Sequence, residues 1–138
     1  MKYWLVKTEP DVYSWDMFTA DGQTFWDGVR NYSARNYMQA MSKGDVVVFY
    51  HTGTDKCAMG LAKVVKEAYQ DPTIQDEAWV CVDIKLYKKF KYPVPLHLLK
   101  ADPAYSQSPL IRIGRLSVLP LREEEFNRLM YYSETQAA

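Results

Sequence analysis

The sequence is poor in the residues that would commit it to several common functional classes. It has two cysteines and two histidines, too few for a disulfide scaffold or a Cys/His zinc site. Cys57 and Cys81 therefore read as reduced, partly buried thiols. No run approaches the roughly 18 apolar residues of a membrane span, and no basic segment with an apolar core and cleavage site opens the chain. These absences predict a soluble cytoplasmic protein of bacterial type, with no membrane partner and no bound metal. Net charge is missing too. Seventeen basic residues balance seventeen acidic ones, which disfavours a long, sequence-blind grip on duplex DNA, because such a grip neutralises many phosphates. A pocket for one nucleotide with few phosphate contacts is compatible with that balance.

Catalytic signatures are also lacking. Ser14, Ser33, Ser106 and Ser117 sit in no Gly-x-Ser-x-Gly elbow and near no histidine motif. There is no Walker loop, no Rossmann glycine fingerprint and no His-Glu-x-x-His helix. Neither a catalytic residue nor a cofactor is assigned, although a triad assembled in space escapes such a scan.

Aromatic side chains, by contrast, are plentiful, at 14% of the chain with eleven tyrosines. A chain of 138 residues, 48% of them hydrophobic, is the size of one domain with a real core, so residues 1–138 are read as a single domain. The richest stretch is Phe25-Trp26-Asp27-Gly28-Val29-Arg30-Asn31-Tyr32-Ser33-Ala34-Arg35-Asn36-Tyr37-Met38, which mixes guanidinium groups, amides and flat rings. Asp27-Gly28 reads as a turn. Ala34, Tyr37, Met38 and Met41 recur at helical spacing, Asn31 or Ser33 can cap the helix they define, and Gly44 should stop it as C′. Trp26 would then lie in a loop ahead of a helix N-terminus, with Asn31, Tyr32 and Arg35 around the first turn. A nucleobase needs such an aromatic face and such edge-bonding groups. Taken singly, Trp26 reads equally well as a core plug and Asn31 as a cap.

The segment Trp26-Asp27-Gly28-Val29-Arg30-Asn31-Tyr32-x-Ala34-Arg35-Asn36 closely resembles the signature of the EVE domain, a small PUA-like domain. Trp4-Leu5-Val6-Lys7-Thr8-Glu9-Pro10, Phe49-Tyr50-His51 and Arg115-Leu116-Ser117-Val118 fit the same pattern in the same order. Thr52 stands where the family usually has Ser and keeps the hydroxyl. EVE domains are similar to YTH domains, which hold a methylated adenine in an aromatic cage. The resemblance implies an α+β fold, a small mixed or antiparallel β-barrel flanked by helices, and a reader of modified bases in DNA or RNA.

Along the chain, Lys2–Lys7 reads as a strand covered on both faces, followed by a short turn from Val12 to Met17 capped by Asp11 and a polar loop over residues 20–24. Asp45–His51 is a near-continuous apolar strand. Met59–Tyr69 is another, and Gly60 inside it marks a bend or a close approach. Trp79–Tyr87 alternates as a half-buried strand, which Pro93 and Pro95 break. Weak turns over 96–100 and 106–111 lead to a strand at Arg115–Leu119. Pro120 then introduces a final helix with Glu123, Glu124 and Glu125 in its first turn and an apolar stripe of Phe126, Leu129 and Met130. Arg122 stands where the family usually has a capping hydroxyl, and the tail after Tyr132 should fray.

Lys7 would meet a phosphate or carbonyl, Glu9 would accept from an exocyclic amine, and Thr8 lies between them where the first strand opens. A surface ion pair explains Lys7 and Glu9 about as well. Tyr50 and His51 could stack or hydrogen-bond, and Arg115 and Ser117 would share a strand face, which the resemblance implies lies beside the pocket mouth. Five lysines and no acid from Lys85 to Lys100 read either as a backbone path or as solvated protection of an edge strand. The leading reading is a non-enzymatic module that takes one modified base, using Lys7, Thr8, Glu9, Trp26, Asn31, Tyr32, Arg35, Tyr50, His51, Arg115 and Ser117. The alternatives are an enzyme on a nucleotide or similar anion, with Glu9 or His51 as acid or base, and a protein-interaction module.

Overall fold

Strand β1 (Tyr3–Thr8) sets the frame, because its alternating side chains must be covered on both sides. The computed structural model, which describes residues 1–135, shows how. Tyr3 stacks on Phe126 of helix α5 (Glu123–Thr135) with ring centroids 4.1 Å apart. Trp4, pointing the other way, lies 6.2 Å from Tyr37 of helix α2 (Tyr32–Ala40). The remaining elements are α1 (Trp15–Asp21), β2 (Gln23–Trp26), β3 (Val46–His51), β4 (Cys57–Gln70), β5 (Val80–Pro95), α3 (Leu96–Ala101), α4 (Pro109–Arg112) and β6 (Val118–Leu121).

The strands form one mixed sheet in the order β2-β5-β4-β3-β1-β6. β1 and β3 run parallel, from Tyr3 opposite Val46 to Thr8 opposite His51, and the other pairings are antiparallel. The closed barrel expected from the sequence is not observed, since β2 and β6 end the sheet and do not pair among the described residues. Helix α2 touches both β5 and β6, which lie four spacings apart in this order, about 19 Å on a flat sheet. A nine-residue helix is only about 14 Å long. The sheet's coil brings the two strands within its reach, and the helix rather than a strand pairing bridges them.

Several boundaries differ from the sequence reading for identifiable reasons. Ser14, not Asp11, caps α1, its hydroxyl accepting from the Met17 N–H at 3.1 Å. The loop expected over residues 20–24 is instead the end of α1, a turn at Gly22 (φ 74°) and the start of β2. Trp26 is thus the last residue of a strand. Helix α2 ends at Ala40, with Met41 as its cap, and Gly44 (φ 94°) serves the next turn instead. β5 runs on through Pro93 and Pro95. Beyond Leu86 it pairs only with β4 among the described residues, so a proline can face an open edge where no ladder bond is lost. Lys88, Lys89 and Lys91 are exposed along this stretch, as expected of edge protection.

Pro120 likewise belongs to edge strand β6, opposite Trp4, and does not open the last helix. Arg115 and Ser117 precede that strand in a turn and a bend, so they do not alternate along it. At α5 the capping hydroxyl is replaced from the other side, where buried Glu125 reaches back to the Arg122 N–H at 2.9 Å. The helix continues past Tyr132 to Thr135 with Ser133 buried, and any fraying beyond lies outside the described residues. Gly60 is the close approach that its position implied. A Cβ there would run into the Trp15 ring and lie 2.7 Å from the Lys88 carbonyl oxygen.

Candidate functional site

A cleft of about 540 Å³ opens where β1 and β2 end together. Its walls are Lys7 and Thr8 from β1, Val12 and Tyr13 from the following turn, and Thr24, Phe25 and Trp26 from β2. The loop from Asp27 to Asn31 and Ser117 close it. That size and the mixture of flat apolar walls with a few polar groups are typical of small-ligand sites.

The aromatic side is graded in exposure. Trp26 is 8% exposed and packs edge-on against Phe49, 5.5 Å away. Tyr13 meets it edge-on at 6.1 Å and donates its hydroxyl to Asp21 at 2.8 Å. Burial, reinforced by that carboxylate, pushes the Tyr13 phenol up to about 12, so it stays neutral. Phe25, which precedes Trp26 on β2, also lines the cleft and is 44% exposed.

Polar groups complete the lining. Lys7 is half-buried, and burial lowers its ammonium below the ordinary lysine value. One of its three N–H groups donates to the Gly114 carbonyl at 3.3 Å, and its backbone N–H donates to the Ser117 carbonyl at 2.8 Å. Thr8 turns its hydroxyl to the Tyr13 carbonyl at 3.0 Å and so fixes the turn that carries that ring. Asn31 caps α2, its Oδ1 accepting from the Ala34 N–H at 3.0 Å, which leaves the amide nitrogen as donor only. Asp27 adds an exposed carboxylate.

The loop is held from behind by a residue that carried no sequence signal. Asp71 is fully buried and accepts from the Gly28 N–H at 3.0 Å, from Arg30 at 3.0 Å and from the Thr73 N–H at 2.8 Å. Burial alone would raise its carboxyl. The hydrogen bonds from Thr73, Gly28 and Arg30 outweigh it and hold the group far below the usual carboxylate range. Gly28 has φ 74°, a left-handed conformation that glycine adopts without strain.

Of the residues singled out from the sequence, Lys7, Thr8, Trp26, Asn31 and Ser117 line this cleft. Glu9 is exposed outside it, and its carbonyl accepts from Val12 and Tyr13 at 2.9 Å each. His51 is 5% exposed. Its Nε2 accepts from the Trp15 N–H at 2.9 Å, so Nδ1 carries the proton and lies 3.1 Å from Asp55. Tyr50 is buried beside a smaller hollow shared with Lys7 and Gly114. Burial pushes its phenol up to about 12. Arg115 is exposed in its turn, and Tyr32 and Arg35 lie on the outer side of α2. Tyr13, Phe25, Asp27 and Arg30, which the sequence reading did not select as site residues, take places in the lining. Alternation along β2 is the signal that would have separated exposed Phe25 from buried Trp26.

Among the described residues, no three or more His, Cys, Asp or Glu side chains are grouped to hold a metal ion, and no helix is long and apolar enough to cross a membrane.

Comparison with known proteins places the chain. The family model of the EVE domain matches residues 2–132. Thymocyte nuclear protein 1 of Mus musculus is 34% identical over 97% of this chain and 74% of its own length. Among solved structures, a protein from Agrobacterium tumefaciens superposes with TM-score 0.94 at 39% identity, over 96% of this chain and 93% of its own. The human THYN1 protein, in complex with DNA containing 5-methylcytosine, superposes with TM-score 0.91 at 31% identity, over 99% of this chain and 100% of its own. By motif order, sequence and fold, the chain belongs to the EVE domain family.

Proposed function

We propose that this chain acts as one non-enzymatic EVE domain that binds nucleic acid and takes a single modified nucleobase into the cleft. The observation that carries the reading is the composition of that cleft: the rings of Tyr13 and Trp26 meeting edge-on, exposed Phe25 in the same lining, two donors at Lys7 and Asn31, and an acceptor at Asp27. The bound DNA of the human relative supports it. A cytosine carrying a 5-methyl group would lay its face on Phe25 and its methyl on Val12 or Val29. Its exocyclic amine would donate to Asp27, and its carbonyl and ring nitrogen would accept from Asn31 and Lys7. Asp27 thereby takes the part that the sequence reading gave to Glu9. The acid and base of the enzymatic alternative, Glu9 and His51, do not line the cleft.

Equilibrium binding of single-stranded and duplex DNA, and of RNA, with cytosine or 5-methylcytosine at one position tests this directly. Tighter binding of the methylated strand, lost in Phe25→Ala, is expected. Equal affinity for every strand, falling steeply with salt, would defeat the modified-base reading, because that pattern belongs to phosphate contacts alone.

A further inference from the structure

Outside the cleft, one surface assembly has no folding task large enough to explain it. Tyr32, the first residue of α2, is 61% exposed although α2 is already capped by Asn31 and anchored by buried Ala34 and Met38. Its ring lies 4.9 Å from that of Trp79, just ahead of β5, at an interplanar angle of 33°. A guanidinium stands at each end, Arg30 at 5.7 Å from the Trp79 ring and Arg35 at 5.0 Å from the Tyr32 ring. The sequence across the surface is therefore cation, ring, ring, cation.

The two cations are not equivalent. Arg30 is paired with Asp71, whereas Arg35 meets only neutral acceptors, the Ala78 carbonyl at 2.9 Å and Asn36 Oδ1 at 3.0 Å, and no carboxylate among the described residues. Its positive charge is left for an outside anion. Arg30 also lines the cleft, and Tyr32 follows the cleft residue Asn31 directly, with consecutive Cα atoms about 3.8 Å apart. The assembly thus begins at the cleft rim and leads away from it.

We propose that this ladder is a second nucleotide subsite, which receives the base next to the one in the cleft. The neighbouring base stacks on the exposed Tyr32 ring and the planar Arg35 guanidinium, and Arg35 meets the intervening phosphate. The proposal rests on the cleft holding one base, and it makes the domain a reader of at least two consecutive nucleotides.

The test uses a nine-nucleotide single-stranded DNA with 5-methylcytosine at its centre, its unmethylated twin, and a version with abasic residues on both sides of the centre. Removing the flanking bases should weaken binding to the unaltered protein by about 5- to 150-fold, the usual worth of one stacked base. Tyr32→Ala should weaken binding of the intact strand by a similar factor, yet bind the abasic-flanked strand as well as the unaltered protein does. Arg35→Gln, which keeps the ring in place, should show a smaller loss on the intact strand. If Tyr32→Ala holds the intact strand undiminished, or loses as much on the abasic-flanked one, the ladder is not a base subsite. Equal affinity for methylated and unmethylated centres, with the flank effect retained, supports the ladder and overturns only the modified-base reading. Failure of the unaltered protein to bind any strand overturns both.

Discussion

Two aromatic assemblies lie on either side of the Asp27–Asn31 loop, and what separates their rings is different. On the inner side Trp15, Phe18, Phe49 and Trp26 meet at 5.2–5.6 Å, three of the contacts edge-on and one stacked, all of them buried. On the outer side the exposed or half-exposed rings of Tyr32 and Trp79 lie together, with a guanidinium group at each end. The inner rings exclude water and hold the sheet to α1, and their contacts are satisfied without a ligand. The outer rings keep polar neighbours and open edges, so a partner can still add to them. An aromatic count says nothing of this difference. Flanking arginine does, because a cation kept over a ring at the surface marks a face that was never desolvated.

The contrast is broken most sharply at Trp26, which belongs to the inner group yet shows its last 8% of surface to the cleft. Trp26→Ala should lower stability by about 3–5 kcal/mol through the cavity left against Phe49 and Tyr13. Tyr32→Ala, on the outer side, should change it by only about 0.5 kcal/mol. Denaturant midpoints for the two variants check the ratio; similar losses would mean that the ladder is part of the core.

Between the two assemblies, Asp71 holds the loop that divides them. Asp71→Asn removes a carboxylate that accepts from Gly28, Arg30 and Thr73, and should reduce stability by about 1.5–3 kcal/mol at neutral pH, the range for hydrogen bonds to a charged group. The pH dependence follows from its depressed folded-state pKa. The stabilisation is fully present above the unfolded carboxylate pKa of about 3.9 and fades as pH falls below it toward the lower folded value. Urea titrations from pH 6 down to pH 2 should therefore show a shallower acid loss in Asp71→Asn than in the unaltered protein.

His51 tests the inner side by a different route. His51→Ala leaves the Trp15 N–H without its acceptor and opens a small cavity, which together should remove about 2 kcal/mol of stability. Oligonucleotide affinity of the folded fraction should not change, because the ring does not line the cleft. A selective loss of affinity would return His51 to the site.

How far the sequence could be read differs between these parts. Periodicity revealed the first half of β5 and the α5 stripe, because one buried face imposes its spacing on the chain, while β1, β3 and β4 were legible as apolar runs. The four-residue β2 escaped, since Gln23 and Thr24 look like loop residues and pair with Ile84 and Lys85 only through a contact about 60 positions away. That omission moved Trp26 from strand to loop and hid Phe25, the more open ring. The open sheet was likewise invisible, because strand order is set by long-range pairing and not by any local pattern. Around the cleft, the density of the stretch from Phe25 to Met38 drew attention to Trp26 and Asn31, which line it, and to Tyr32 and Arg35, which lie outside it. Asp71 and Trp79 were not legible, since they enter from a loop more than 40 positions downstream, where an Asp-Pro-Thr turn carries no sign of what it will hold.

The smallest effect expected, and the one closest to the cleft's chemistry, concerns Lys7. Burial lowers its ammonium pKa, so it releases its proton at a lower pH than an ordinary lysine, whose value is about 10.4. A ligand carbonyl or phosphate prefers the charged form, and by linkage its binding must raise that pKa again. Affinity should therefore be constant near neutrality and fall as pH rises through the depressed value of the free protein. Lys7→Met keeps the aliphatic stem and loses the charge. It should weaken binding about tenfold, or 1.4 kcal/mol, near the low end for a charged hydrogen bond because the group is only half-buried. The alkaline fall should vanish with it. Folding stability moves the opposite way, since a charged lysine is the disfavoured form in the folded state, and stability should rise slightly over the same pH interval. Opposite slopes for affinity and stability in the unaltered protein, both absent in Lys7→Met, would tie the ammonium to the ligand; an alkaline fall that survives the substitution would assign it to another group.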